Sequence, residues 1–209
     1  MVKAFLVVLV VLGILLLAEY LSRYKGLHSE LSRKFVHIVG GIFIATWPFY
    51  LGWGQIQLLS LLALVAAIIS IKLNVFRSIH AVKRNAVGEV MAAIIVGILA
   101  LICDDPWIFA AAMLHLSLAD GLAAIVGLAY GDNNSYKVLG ETRSVAGNLA
   151  CFFASIAIML LYTIAGDNGY SALTLLGLPI MVTVGENFAI KGTDNLVIPL
   201  LVAFTLTSV

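Results

Sequence analysis

Apolar residues fill eight stretches of the chain, at about 3–21, 35–52, 56–73, 87–103, 106–129, 146–165, 172–190 and 196–209, and the polar residues collect between them. Roughly 20 residues of helix cross a hydrocarbon core. The pattern therefore predicts an all-α, polytopic transmembrane bundle of about seven to eight spans. The last stretch is short and the seventh ends in polar residues, so either can be re-entrant or broken. No linker rich in proline, serine or charge interrupts the chain, which reads as a single membrane domain over 1–209. The first stretch has one basic residue, Lys3, ahead of it and no small-x-small cleavage site. It is expected to be a retained helix and not a signal peptide.

Composition agrees with that pattern. The chain is 62% hydrophobic and 11% charged, with a mean hydropathy of +1.09, whereas a soluble domain is about 45–50% apolar and about 25% charged. The formal net charge of +1 names no partner, and no nucleic-acid partner is expected. Cys103 and Cys151 lie in or beside apolar runs without C-x-x-C spacing, so neither a metal nor a disulfide framework follows.

The distribution of charge says more. Arg23, Lys25, Arg33 and Lys34 follow the first span, and Lys72, Arg77, Lys83 and Arg84 follow the third. Lys137 and Arg143 follow the fifth, and Lys191 the seventh. Eight alternating spans place all of these on one side, which the bias of basic residues makes cytoplasmic, with both termini outside. Trp47, Trp53 and Trp107 then fall at the outer interface.

Polar residues that interrupt the apolar runs gather at the cytoplasmic span ends. In "RKFVHIVGG", Arg33 and His37 share a helix face with Lys34 beside them. Such cations can bind phosphate, or they can serve as a topology anchor beside a hydrogen-bonded histidine. In "VKRNAVGEVMAA", Glu89 lies near the start of the fourth span, where the helix dipole favours an acid, and Asn85 precedes it. In "HLSLADGLAAIVGLAYG", Asp120 shares a face with Ala123, Ala124, Gly127 and Gly131. That stripe lets a second backbone or a ligand approach closely. The carboxylate on it is either an interhelical acceptor or part of a site.

The stretch "DNNSYKVLGE" is expected to be a polar loop, and "RSVAGN" opens the sixth span with Ser144 as its N-cap. A helix start beside Arg143, left open by Gly147, is an anion-binding arrangement, although there is no Walker A loop. In "GENFAIKGTDNLVIPL", Glu186, Asn187, Asp194 and Asn195 bracket Lys191. Carboxylates of this kind suit Mg²⁺ held together with substrate phosphates. Cations, carboxylates and a helix N-terminus on one membrane face are the parts phosphoryl transfer requires.

"RKFVH", "LADGLAAIVGLAYG", "RSVAGN" and "KGTDNLVIPL" resemble, in order and rough spacing, the dolichol kinase and phytol kinase family, from about Arg33 to Pro199. That family is related to phosphatidate cytidylyltransferases. The resemblance implies CTP as phosphoryl donor, Mg²⁺, a membrane lipid alcohol as acceptor and an active face on the cytoplasmic side of the inner membrane. It also implies roles. Asp120, His37 and Lys34 would be catalytic. Arg33, Lys34, Gly127, Gly131, Lys137, Arg143, Ser144, Gly147 and Asn148 would hold the nucleotide. Asp120, Asp194 and Glu186 would hold the metal, with Glu89, Asn85, Asn187 and Asn195 as further site candidates. The family's Lys-Thr-x-x-Gly-Ser is replaced here by Arg143, Ser144, Gly147 and Asn148. The long cytidylyltransferase signature is missing, which argues against nucleotidyl transfer. Cytidylyl transfer, diacylglycerol phosphorylation and a small transporter are the alternatives.

Overall fold

A computed structural model describes residues 2–25, 29–73, 86–166, 169, 171–190 and 192–208. Among these, α1 covers Val2–Lys25, α2 Ser29–Ala45, α3 Trp53–Leu73 and α4 Ala86–Ile102. A long helix follows in two parts, α5 (Pro106–Leu114) and α6 (Asp120–Tyr130), joined by a π-helical turn at His115–Ala119. A hairpin of β1 (Ser135–Val138) and β2 (Glu141–Ser144) then leads into α7 (Val145–Ala165), α8 (Ala172–Phe188) and α9 (Asp194–Thr207).

The bundle is all-α apart from that hairpin. Among the described residues, four helical segments are long and apolar enough to cross a membrane: Val2–Leu21, Trp53–Leu73, Pro106–Tyr130 and Val145–Ala165. Val90–Ile102, Ala172–Phe188 and Asp194–Thr207 are shorter apolar helices. The run expected at 35–52 is not one span. Its helix begins at Ser29 and stops at Ala45, and Trp47–Phe49 forms a 3₁₀ turn. Pro48 has no N–H to extend the helix, and the ring disfavours the α conformation just before it.

Burial ranks the helices. In Pro106–Tyr130, 67% of the apolar window is buried, against 17% for Val2–Leu21 and for Trp53–Leu73. The long broken helix is therefore the axis of the bundle. Phe109 and Leu116 on it pack in one core with Ile95 and Leu99 of α4, Met159 of α7, Leu178 of α8 and Ile198 of α9. Asp105 starts it, accepting the Trp107 N–H at 2.8 Å with Pro106 at the first turn. Cys103 and Cys151 are both buried and unbridged.

Two local features were not expected. The π turn is the first: Ser117 Oγ donates to the Met113 carbonyl at 2.8 Å and His115 Nδ1 bonds the Ala111 carbonyl at 2.8 Å. Side chains that compete for the ladder carbonyls accompany a widened turn. The second is the hairpin, which replaces the expected polar loop. Ser135 pairs with Ser144 and Val138 with Glu141 around Leu139 (φ 50°) and Gly140 (φ 85°). Two positive-φ residues make the tight turn whose twist matches paired strands.

Candidate active site

The polar ends of α2, α6, α7, α8 and α9 and the hairpin enclose a cavity of about 470 Å³. Its floor is Asp120, the first residue after the π turn. Lys34 Nζ donates to Asp120 Oδ2 at 2.9 Å, and both residues are only 6% exposed. His37, one turn further along α2, places Nε2 3.3 Å from the same oxygen and 2.9 Å from the Leu116 carbonyl. A carbonyl only accepts, so Nε2 carries the proton and donates to it. His37 thus gives that proton to the Leu116 carbonyl beside Asp120 and is not a base acting through that nitrogen. The π turn also contributes here, because Leu116 lies within it.

The opposite wall is made by close packing of α6 on α7. A Cβ on Gly147 would lie 2.9 Å from the Ala123 carbonyl and 3.6 Å from Gly127 Cα, and a Cβ on Gly131 would lie 3.0 Å from Ser144 Cβ. The stripe read from the sequence is therefore used twice, for helix contact and for cavity wall. Ser144 caps α7, accepting the Gly147 N–H at 3.0 Å.

Arg143, at the end of β2, reaches across to α8. Nη1 donates to Glu186 Oε1 at 2.5 Å and Nη2 to the Ala189 carbonyl at 2.9 Å. Its Nε is buried with no hydrogen-bond partner among the described residues. An unmet buried donor costs about 1–3 kcal/mol; Arg143 as a whole lines the cavity, and its charge suits an anion there.

Other expected residues divide clearly. Arg33, Gly127, Gly131, Ser144, Gly147 and Asn148 line the cavity, as do Glu186, Asp194 and Asn195. Asn195 Nδ2 donates to the Gly88 carbonyl at 3.0 Å and pins the start of α9 on α4. Lys137 does not line the cavity: it is exposed on β1, opposite Thr142. Asn187 is not in the wall either. Its Oδ1 accepts from Tyr136 Oη at 2.5 Å, and that hydroxyl in turn accepts from Asn148 Nδ2. Asn85 lies outside the described residues, and so does the side chain of Glu89, whose backbone is in α4.

Sequence reading missed the hairpin's share of the wall, Ser135, Glu141 and Thr142, together with Gly88. Gly192, at φ 85°, brings its α carbon edge so near α4 that a Cβ would lie 3.0 Å from Gly88 Cα. The signal for the hairpin was present in the alternation of "SYKVLGETRS" about its Leu-Gly turn.

The three carboxylates expected to bind metal all face this cavity, but they form no ready cage. Among the described residues, no group of three His, Cys, Asp or Glu side chains converges to hold an ion. One oxygen of Asp120 is taken by Lys34 and one of Glu186 by Arg143. Mg²⁺ is usually bound through one or two carboxylates plus substrate phosphates. An ion that arrives with a polyphosphate would need no such cage, and Asp194 and Asp120, which both line the cavity, are the carboxylates that would hold it.

Fold and cavity together define a polytopic helical membrane protein with a charged chamber at one end of the bundle. No family model and no solved structure matches the chain. Phytol kinase from Synechocystis sp. is 31% identical over 197 residues, covering 90% of this chain and 83% of that protein. Phytol kinase 1, chloroplastic, from Arabidopsis thaliana is 28% identical over 207 residues, 87% of this chain and 67% of its own length. The chain belongs to the phytol kinase family, kinases of isoprenoid alcohols.

Proposed function

We propose that the protein transfers the γ-phosphoryl group of CTP to the hydroxyl of a long-chain isoprenoid alcohol, phytol being the one its relatives' names indicate. The observation that carries this reading is the chamber itself. Lys34, Arg143, Asp120, Glu186 and Asp194 all line it, and so do Ser144 and Gly147 at the capped start of α7. The triphosphate lies against Arg143, Ser144 and Gly147, where the guanidinium charge and the positive end of the α7 dipole attract it. Arg33 and Lys34 meet its far end.

The alcohol oxygen attacks the γ-phosphorus. The new O–P bond forms as the bond to the bridging oxygen breaks, and the nucleoside diphosphate leaves. The hydroxyl proton passes to the transferred group or to solvent, since a loose transition state asks little of a base. Bound Mg²⁺ would neutralise the β- and γ-phosphate charge. The residues themselves position the two substrates and stabilise charge, which is where most of the rate in phosphoryl transfer originates.

Arg33, Lys34 and Arg143 lie at the helix ends that form the chamber, and an orientation with basic residues inside supports catalysis on the cytoplasmic face. A nucleotide-by-alcohol matrix on purified protein, with and without chelator and with mass detection of the product, tests the reading. It predicts an isoprenoid monophosphate that requires CTP and a divalent cation. No phosphorylated alcohol with any nucleotide would refute it.

A further inference from the structure

A second cavity, of about 360 Å³, lies behind the charged chamber and joins it: Arg33, His37, Gly88 and Asn195 line both. Its wall is otherwise apolar apart from Ser60, Ser70 and Ser117. Along α2 it touches Arg33, His37, Gly40 and Ile44, which recur on one face of the helix, and then Trp47 in the 3₁₀ turn beyond its end. The opposing helices contribute small side chains, Ala63 and Ala66 of α3 and Ala92 and Ala93 of α4, which leave room for a chain between them. Ala63 and Ala66 are exposed, so the cleft opens sideways where lipid would lie.

We infer that this cleft holds the isoprenoid tail of the alcohol, with the hydroxyl at His37 and Asp120 and the tail end at Trp47. The inference rests on the proposed kinase reading and adds a length rule to it. From His37, where the hydroxyl sits, to Trp47 the wall runs about 15 Å at 1.5 Å per helical residue, so a C10 alcohol stops short of Trp47 and a C20 alcohol reaches it. A tail leaving a bilayer gains no hydrophobic energy on entering an apolar cleft. Selection must therefore come from shape, and Trp47, 4% exposed, is the stop.

Gly40 supplies the test. A Cβ there meets nothing within 4 Å, whereas one on Gly41 would collide with Ser117 Cβ at 2.2 Å. Gly40→Leu therefore fills the cleft halfway along without disturbing the helix contact. Gly13→Leu, on the exposed face of α1 with nothing within 4 Å, is the control. Catalytic efficiency is compared for C10 and C20 isoprenoid alcohols. Gly40→Leu should lower the C20-to-C10 ratio about tenfold or more, the scale of an overpacked apolar site, and Gly13→Leu should leave it unchanged. An unchanged ratio in Gly40→Leu overturns the inference. A C20 alcohol with a terminal diazirine, photolysed on the protein in phosphatidylglycerol vesicles, reads the cleft without catalysis. The label should fall at Ile44–Trp47 and be displaced by unlabelled phytol. Labelling elsewhere, or equal displacement by added phosphatidylglycerol, overturns the inference even if the kinase reading stands. An absence of any kinase activity with correct labelling would instead refute the kinase reading alone.

Discussion

Lys34 and Asp120, 86 residues apart in the chain, meet at 2.9 Å in a buried ion pair at the floor of the charged chamber. Removing one partner of such a pair strands the other charge, at about 3–5 kcal/mol. Asp120→Asn and Lys34→Met should each lower the melting temperature in detergent, and the double variant should recover part of the loss. Activity should not recover, because both groups face the substrates. A double variant with wild-type turnover would show that the pair is structural only.

Arg143 meets the chamber through a guanidinium tied to Glu186 and to the Ala189 carbonyl. Charge-assisted hydrogen bonds are worth about 1.5–3 kcal/mol, or roughly 10–150-fold in binding. Arg143→Gln should raise the KM for the nucleotide by that order and leave the KM for the alcohol in place. Arg143→Lys keeps the charge but not the planar fork, so it should recover only part of the affinity. Steady-state kinetics in both substrates separates these outcomes.

His37 donates through Nε2 to the Leu116 carbonyl and faces Asp120. His37→Gln keeps an N–H donor and should retain most activity with an unaltered pH profile. His37→Leu leaves a buried acceptor unmet, at about 1–3 kcal/mol, and should lose both stability and rate. A pH–rate limb that vanishes in His37→Gln would make His37 a base and contradict the positioning role.

Gly147 sits where α6 and α7 touch. A methyl there would press on the Ala123 carbonyl at 2.9 Å, so Gly147→Ala should cost about 1–3 kcal/mol and weaken nucleotide binding. Gly177→Ala, where a Cβ meets nothing within 4 Å, should be neutral or stabilising, as alanine is the better helix former. Melting curves of the two variants give the comparison.

Much of this was legible in one dimension, for definite reasons. Asp120 stood out because an acid inside an apolar run is costly, and its Ala and Gly companions recur at helical spacing. Ser144 was readable as a cap because capping is local. What failed depended on contacts between distant segments. The π turn just before Asp120 left no mark on the apolar pattern, and the pairing of Lys34 with Asp120 joins segments 86 residues apart. Lys137 carried the right charge in the right segment, but it is exposed on β1 outside the cavity wall that its neighbours Ser135 and Thr142 reach. The break after Ala45 was written in Pro48, and the long apolar run around it concealed it.

The central claim is that the chamber moves a phosphoryl group, not a nucleotide, onto a lipid alcohol. Parallel incubations of the purified protein and of Asp120→Asn with phytol, Mg²⁺ and CTP labelled at either the γ- or the α-phosphorus test it directly. Label should enter the lipid from the γ position alone and only with the unaltered protein. Label arriving from the α position, or an Asp120→Asn protein as active as its parent, would contradict it.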